Sequence, residues 1–285
     1  MADYQKVSVE GRSTHIVDVD NDSLLLNKND GFYTSGLRYT NRRTIATQSG
    51  TSSFGWRIGQ ELYTASDIKL PPELVGPPNH PYAGWLFGGV FKEENRRDGS
   101  YTRFGLDIGC LGPCAGGKAT QKTLHRILNQ PQPRGWSKQI RNEPGVVLHG
   151  EVAPARWMFG SSVDLATDLH FRFGNIVTDA GVGAMVRAGR LNLLPNGPSF
   201  HGFIRGHINA VGYNASLQGG YFSNDNPHTV APKRWVGAAE IGVAWLREKY
   251  GFKASLVRQS NEIRALRESV GAQDFVRLQF IYTPG

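Results

Sequence analysis

A chain of 285 residues with 35 glycines and 11% aromatics is long enough to bury a sizeable core, and its composition favours strands joined by tight turns over helices. The net charge of +8 admits an anionic partner, yet the charges are scattered and the basic doublets Arg42, Arg43 and Arg96, Arg97 form no nucleic-acid-binding block. No apolar run is long enough for a transmembrane helix, which leaves open a membrane barrel whose strands alternate.

The opening segment, MADYQKVSVEGRS, lacks the apolar core of a signal peptide. The first predicted strand ends in HIVDVDND, with Asp18, Asp20 and Asp22 on one face and Asn21 beside the last. Clustered carboxylates at a strand end suit a hard cation such as Ca2+; the competing reading, preferred for Asp18 and Asp20, is a ladder of carboxylates paired with arginines. The next strand begins at Tyr33 and runs antiparallel to the first, so Thr34 is expected near Asp22, where a backbone carbonyl could complete a cation site. Phe54, Trp56, Ile58 and Leu62 then oppose Arg57 and Glu61. Lys69 falls in the following long connection and is either a phosphate contact or simply solvated.

From Tyr101, the residues Thr102, Phe104, Leu106 and Ile108 face one way and Arg103 and Asp107 the other. This strand breaks at Gly109 to Pro113 and is followed by a predicted helix carrying Gln121 and His125, which prolines then stop. Four residues apart, the two share a helix face: either a candidate catalytic pair or two residues of a loop-capping surface helix. Cys110 and Cys114, the only cysteines, have no zinc-like partners and are either a small-loop disulfide or two buried thiols. Further alternating segments follow at Val163 to Phe173, Phe200 to Ala210, Trp235 to Trp245 and Val276 to Tyr282.

About twelve such segments occur, each of a length that crosses a bilayer at a tilt. A soluble sandwich would also alternate, but three features favour an all-β fold in which one antiparallel transmembrane barrel spans residues 1–285. The polar faces carry both signs of charge, as a lumenal network needs. Trp56, Trp85, Trp235, Trp245 and Tyr282 lie toward strand ends, where interfacial girdles form. Long connections (21–32, 63–81, 112–142, 213–234, 260–274) alternate with short ones, although the tight turn at 174–176 falls on the long side. Counting strands up and down places Asn21, Asp22, Thr34, Lys69, Gln121 and His125 at one end, expected to be the extracellular one.

Several motifs are shared with a known family. They are NDS from Asn21, YTSG from Tyr33, IGQELYT from Ile58, PYAGWL from Pro81 and, above all, GP-x-A-GG from Gly112 followed by Q-x3-HR from Gln121 and GW-x5-NEPG from Gly135. On these the chain resembles the outer-membrane lipid A 3′-O-deacylase family over nearly its whole length. The resemblance implies a twelve-stranded barrel that hydrolyses the ester linking the acyloxyacyl group to the 3′ position of lipid A, with Ca2+ required. It implies His125 as general base with Gln121 beside it, Asn21 and Asp22 as the pair by the metal, Thr34 as a site residue and Lys69 as a basic loop contact. In that chemistry a neutral His takes a proton from water, hydroxide attacks the ester carbonyl and Ca2+ stabilises the oxyanion.

The segment Arg126 to Arg134 carries no carboxylate where family members place one, so that contact is lost or supplied by Asp20 or Asp30. The expected partners are lipid A or lipopolysaccharide and outer-membrane lipid, with no nucleic acid. A monomer in the bacterial outer membrane is expected. The alternatives are a barrel phospholipase and a catalytically silent pore or scaffold.

Overall fold

The computed structural model describes residues 2–22, 32–154, 156–194 and 197–284. Asp30 lies outside the described residues. The strands are β1 (Arg12–Asn21), β2 (Tyr33–Ala46), β3 (Gly50–Tyr63), β4 (Ala83–Arg96), β5 (Tyr101–Leu111), β6 (Glu143–Ala153) and β7 (Arg156–Phe159). They continue as β8 (Val163–Gly174), β9 (Val177–Arg190), β10 (Ser199–Asn214), β11 (Trp235–Leu246), β12 (Tyr250–Gln259) and β13 (Gln273–Tyr282).

Each strand pairs antiparallel with its neighbours, and β1 closes the sheet on β13 from His15↔Tyr282 to Asn21↔Val276. The thirteen segments fill twelve barrel positions. β6 pairs with β8 between Val147↔Gly174 and Val152↔Leu169, and β7 continues the same edge from Arg156↔Ala166. Pro154, which has no N–H to give the ladder, marks the break between β6 and β7.

The alternation resolves into two faces. Phe104, Leu106 and Ile108 of β5 and Leu169 and Phe173 of β8 are exposed on the outside, while Asp107, Asp164 and Asp168 are buried inside. A bilayer rewards the first set and an enclosed lumen the second, provided that the charges are paired. They are paired across strands: Asp164 accepts from Arg187 (2.6 Å) and Arg156 (3.1 Å), Asp107 from Arg57 (2.9 Å), Glu93 from Arg42 (3.0 Å) and Asp168 from Arg205 (3.0 Å).

Asp20 belongs to this network, held by Arg277 at 2.8 and 3.0 Å and by the Tyr33 hydroxyl at 3.1 Å, and Asp18 accepts from Gln279 at 2.6 Å. The arginine-paired ladder is therefore the correct reading for Asp20, which is committed to Arg277 rather than left to replace a missing ligand, whereas Asp18 is held by an amide.

Trp56, Trp235, Trp245 and Tyr282 are exposed, as a girdle requires. Trp85 corrects that expectation: it points inward, stacks on Phe87 (5.7 Å) and is buried with Leu111, Ile140, Val147 and Ile176. The sequence around Trp85 is apolar on both faces, and the inward face is covered because the long connections fold over that end. Ile140 N–H donates to the Tyr82 carbonyl (2.8 Å), Phe222 N–H to the Glu143 carboxylate (3.0 Å) and Arg141 N–H to Asn226 (2.8 Å).

Connections 64–82, 112–142, 215–234 and 260–272 all lie at this end, with the two-residue turn 175–176 among them. A helix without an apolar periodicity to announce it, α1 (Ala2–Glu10), packs near the opposite end against β2 and β3, with Tyr4 edge-on to Phe54 at 5.3 Å.

Candidate functional site

The connection between β5 and β6 builds the site. At its start Cys110 and Cys114 form a disulfide, so the open question about the two cysteines is answered by a bond that ties the end of β5 to a single 3-10 turn, Pro113–Ala115. Gly116, in the left-handed region at φ 70°, lets the chain reverse into α2 (Gly117–Ile127). Two residues past the helix, Asn129, also left-handed at φ 53°, returns the chain toward the last turn of α2.

That reversal has a chemical result. The Pro131 carbonyl oxygen lies 2.6 Å from His125 Nδ1. A carbonyl only accepts, so Nδ1 carries the proton and Nε2 keeps the lone pair. Gln121, one turn earlier, receives the Trp136 indole N–H on its Oε1 at 2.7 Å. An indole only donates, so the amide orientation is set and Gln121 Nε2 is turned away from the ring; this amino group has no partner among the described residues. Both side chains are buried, Gln121 at 2% and His125 at 6% exposure. The pair thus offers one base and one donor from the same helix face.

Trp136 was not singled out by sequence reasoning, although the GW motif flagged its position. It packs edge-on to Tyr82 at 5.2 Å in a cluster with Leu62 and Ala65. The glycines around it are obligatory. A Cβ on Gly135 would fall 2.2 Å from the Tyr82 ring, and one on Gly117 would fall 2.6 Å from Trp136 and 2.8 Å from Leu62.

The register shows which side of the wall this assembly occupies. Ile58 of β3 and Leu86 of β4 face outward, and two-residue alternation puts Gln60, Leu62 and Gly84 on that same outer face. Gln60 donates to the Ala115 carbonyl at 2.6 Å, Leu62 packs with Trp136, and Gly84 faces Ala115 and Gly117. α2 and its preceding turn therefore lie against the outside of the barrel, at its long-loop end, and not over the lumen.

The other predicted residues lie at the same end of the barrel. Asn21 is the last paired residue of β1, and Asp22 donates its N–H to the Thr34 carbonyl at 3.4 Å. The Thr34 and Thr64 hydroxyls are 2.7 Å apart, and Thr64 leads into the Leu62, Ala65 and Trp136 cluster that carries α2. Lys69 is exposed in connection 64–82, its amide held by Asp67 at 2.9 Å.

Asp22 is 4% exposed and Thr34 3%. The Asp22 carboxylate, the Thr34 hydroxyl and the amide oxygen of Asn21 are oxygen donors of the type Ca2+ accepts. Among the described residues no three His, Cys, Asp or Glu side chains converge on one point, so a cation here would depend on those neutral oxygens.

In the same loop region, burial pushes His80 down to about 4, stacked on Tyr63 at 5.2 Å and bonded through Nδ1 to the Pro81 carbonyl at 2.6 Å. His228 is lowered too, chiefly by burial.

A comparison with curated protein sequences returns no significant match. Among solved structures, LpxR from Salmonella typhimurium superimposes with a TM-score of 0.79 at 21% identity, covering 94% of this chain and 99% of that one. The β domain of the Bordetella autotransporter BrkA gives 0.50 at 11% identity, covering 95% and 98%. At these identities the likeness concerns the barrel alone. The sequence itself matches the family described as outer membrane protein LpxR over residues 3–283, and the chain belongs to that family.

Proposed function

We propose that this outer-membrane barrel is an ester hydrolase that removes the 3′-linked acyloxyacyl group from lipid A. The observation that carries the reading is that Gln121 and His125 share the buried face of α2, a helix whose entry turn lies against the outward face of β3 and β4, on the membrane side of the wall and not over the lumen. Membership of the LpxR family supports the choice of lipid.

His125 Nε2, held as acceptor by the Pro131 carbonyl, takes the proton from a water that attacks the ester carbonyl. Gln121 Nε2, aimed by Trp136, donates to the carbonyl oxygen as it gains charge. Asp22, Thr34 and Asn21 would hold Ca2+, which when bound supplies positive charge near the developing oxyanion. Lys69, exposed in its loop, suits a phosphate of the substrate.

A pore is the weaker reading. The lumen is crossed by ion pairs and closed at the long-loop end by Trp85, Phe87 and Ile140.

The test is mass spectrometry of lipid A incubated with the purified protein, alongside phosphatidylethanolamine as a competing ester. Release of the 3′-linked acyl group, lost with EDTA and in His125→Ala, is the expected result. Full release by His125→Ala, or cleavage of the phospholipid alone, overturns the reading.

A further inference from the structure

In the YTSG stretch the barrel departs from the period of two that governs its strands. Leu37 of β2 is exposed on the outside. Counted back two at a time, Ser35 and Tyr33 belong to the outer face, Gly36 and Thr34 to the lumen. Ser35 and Gly36 obey: Ser35 pairs with Leu62, which packs outside with Trp136, and Gly36 pairs with Glu61, which is bonded to Tyr63 inside. Tyr33 does not, because its hydroxyl donates to Asp20 in the lumen at 3.1 Å.

The register accounts for the reversal. Tyr33 pairs with Tyr63 and Ser35 with the adjacent Leu62, so Thr34 is one residue more than β3 can match, a β-bulge. With Tyr33 and Gly36 both on the lumen side, Thr34 and Ser35 between them are left to the outer side. There the Thr34 hydroxyl meets that of Thr64 at 2.7 Å, just ahead of Ala65 in the cluster with Trp136. Asn21, paired with Ser35, shares that outer face.

The bulge is held from within the lumen. Tyr33 N–H donates to Gln273 Oε1 at 2.7 Å, and its ring lies 5.1 Å from that of Phe275 and 5.6 Å from that of Tyr63. Asp20, which receives the hydroxyl, is itself clamped by Arg277. Gly36 makes room, since a Cβ there would run into the Tyr33 hydroxyl.

We propose that Tyr33 is a positioning residue: by filling the lumen side of the bulge it turns the Thr34 side chain out of the barrel, onto the face that carries α2 and Asn21. The use made of Thr34 on that face rests on the hydrolase reading above; the anchoring of the bulge does not.

The first arm of the test needs no enzymatic activity. In Thr34→Cys/Thr64→Cys the thiols stand where the hydroxyls meet, and oxidised glutathione should join them in a disulfide, read by mass spectrometry after digestion. Adding Gly36→Ala or Tyr33→Phe should slow closure about tenfold. Heat-modifiable migration on SDS gels verifies that each variant is a folded barrel. The second arm measures acyl release from lipid A, which should fall about tenfold in Tyr33→Phe and no further when Tyr33→Phe is added to Thr34→Ala. Equal closure rates in all three backgrounds overturn the anchoring, no closure in any folded variant overturns the outward placement of Thr34, and additive losses of activity overturn the positioning role. Slowed closure in a protein whose wild type releases no acyl group upholds the bulge and counts against the hydrolase instead.

Discussion

His125 is oriented by one contact, the Pro131 carbonyl, and Gln121 by another, the Trp136 indole, so each active-site candidate has a supporting residue whose loss can be read separately. Trp136→Phe keeps an aromatic ring beside Tyr82 but removes the N–H, freeing the Gln121 amide to rotate. We expect kcat for lipid A to fall about tenfold with KM nearly unchanged, a loss of roughly 1.4 kcal/mol in transition-state stabilisation. In a Gln121→Ala background the same substitution should cost little further, and equal losses in both backgrounds would show that the indole acts only through packing.

His80 predicts a pH effect of definite sign. Its folded-state value of about 4 lies below the ordinary 6.5, so the opened loop binds a proton that the closed loop refuses. Above pH 6.5 there is no penalty; between 6.5 and 4 the closed arrangement loses up to about 3 kcal/mol. Hydrogen exchange of amides in 64–82, corrected for intrinsic rates, should accelerate across that window, and His80→Phe should remove most of the acceleration.

Among the elements, α2 depends on how it is anchored rather than on its own sequence. Eleven residues is too short for a helix to hold its shape unaided in water. Its supports are the disulfide at its entrance, the Gln60 bond to the turn before it, and close packing of Gly117 on Trp136 and Leu62. Cys110→Ser/Cys114→Ser should release about 2 kcal/mol of loop constraint and raise hydrogen exchange across 117–127 while leaving the barrel strands protected. Gly135→Ala should be more damaging to activity than its size suggests, since the added methyl must displace Tyr82 or Trp136. Acyl release by that variant at the wild-type rate would mean that the loop accommodates the methyl without moving Gln121.

For the molecule as a whole, the lumen is a polar core, and its ion pairs are obligatory because the charges have nowhere else to go. Asp164 is fully buried between Arg156 and Arg187. Asp164→Asn would leave two guanidinium groups sharing a neutral partner, a cost of about 3 kcal/mol or more. The SDS-gel unfolding temperature of the barrel should drop sharply, far more than for a change at the half-exposed pair Arg258 and Asp274.

Much of this fold was legible in the sequence because the forces that shape a barrel act at short range. Side chains alternate with period two whatever the strand pairs with, so Phe104, Leu106 and Ile108 separate from Arg103 and Asp107 in any extended conformation, and the lengths of connections follow from where apolar runs stop. The pairing of Gln121 with His125 is equally local, since it needs only one helical turn.

Four matters lay beyond the periodicity, three of them decided by contacts between distant segments. Trp85 is apolar in sequence and sits near a strand end, yet it faces inward because three loops roof the lumen there. Asp20 and Asp22 share a face and a residue type, but Arg277, some 257 residues away, claims only the first. Cys110 and Cys114 could equally have been free until the turn after β5 brought them together. The role of Trp136 and the placement of α2 outside the wall depend on Leu62, Tyr82 and Gln60, from strands and loops that no local pattern links to the helix. Periodicity reports which way a side chain points relative to its own backbone; what waits for it there is settled only when the rest of the chain closes around it.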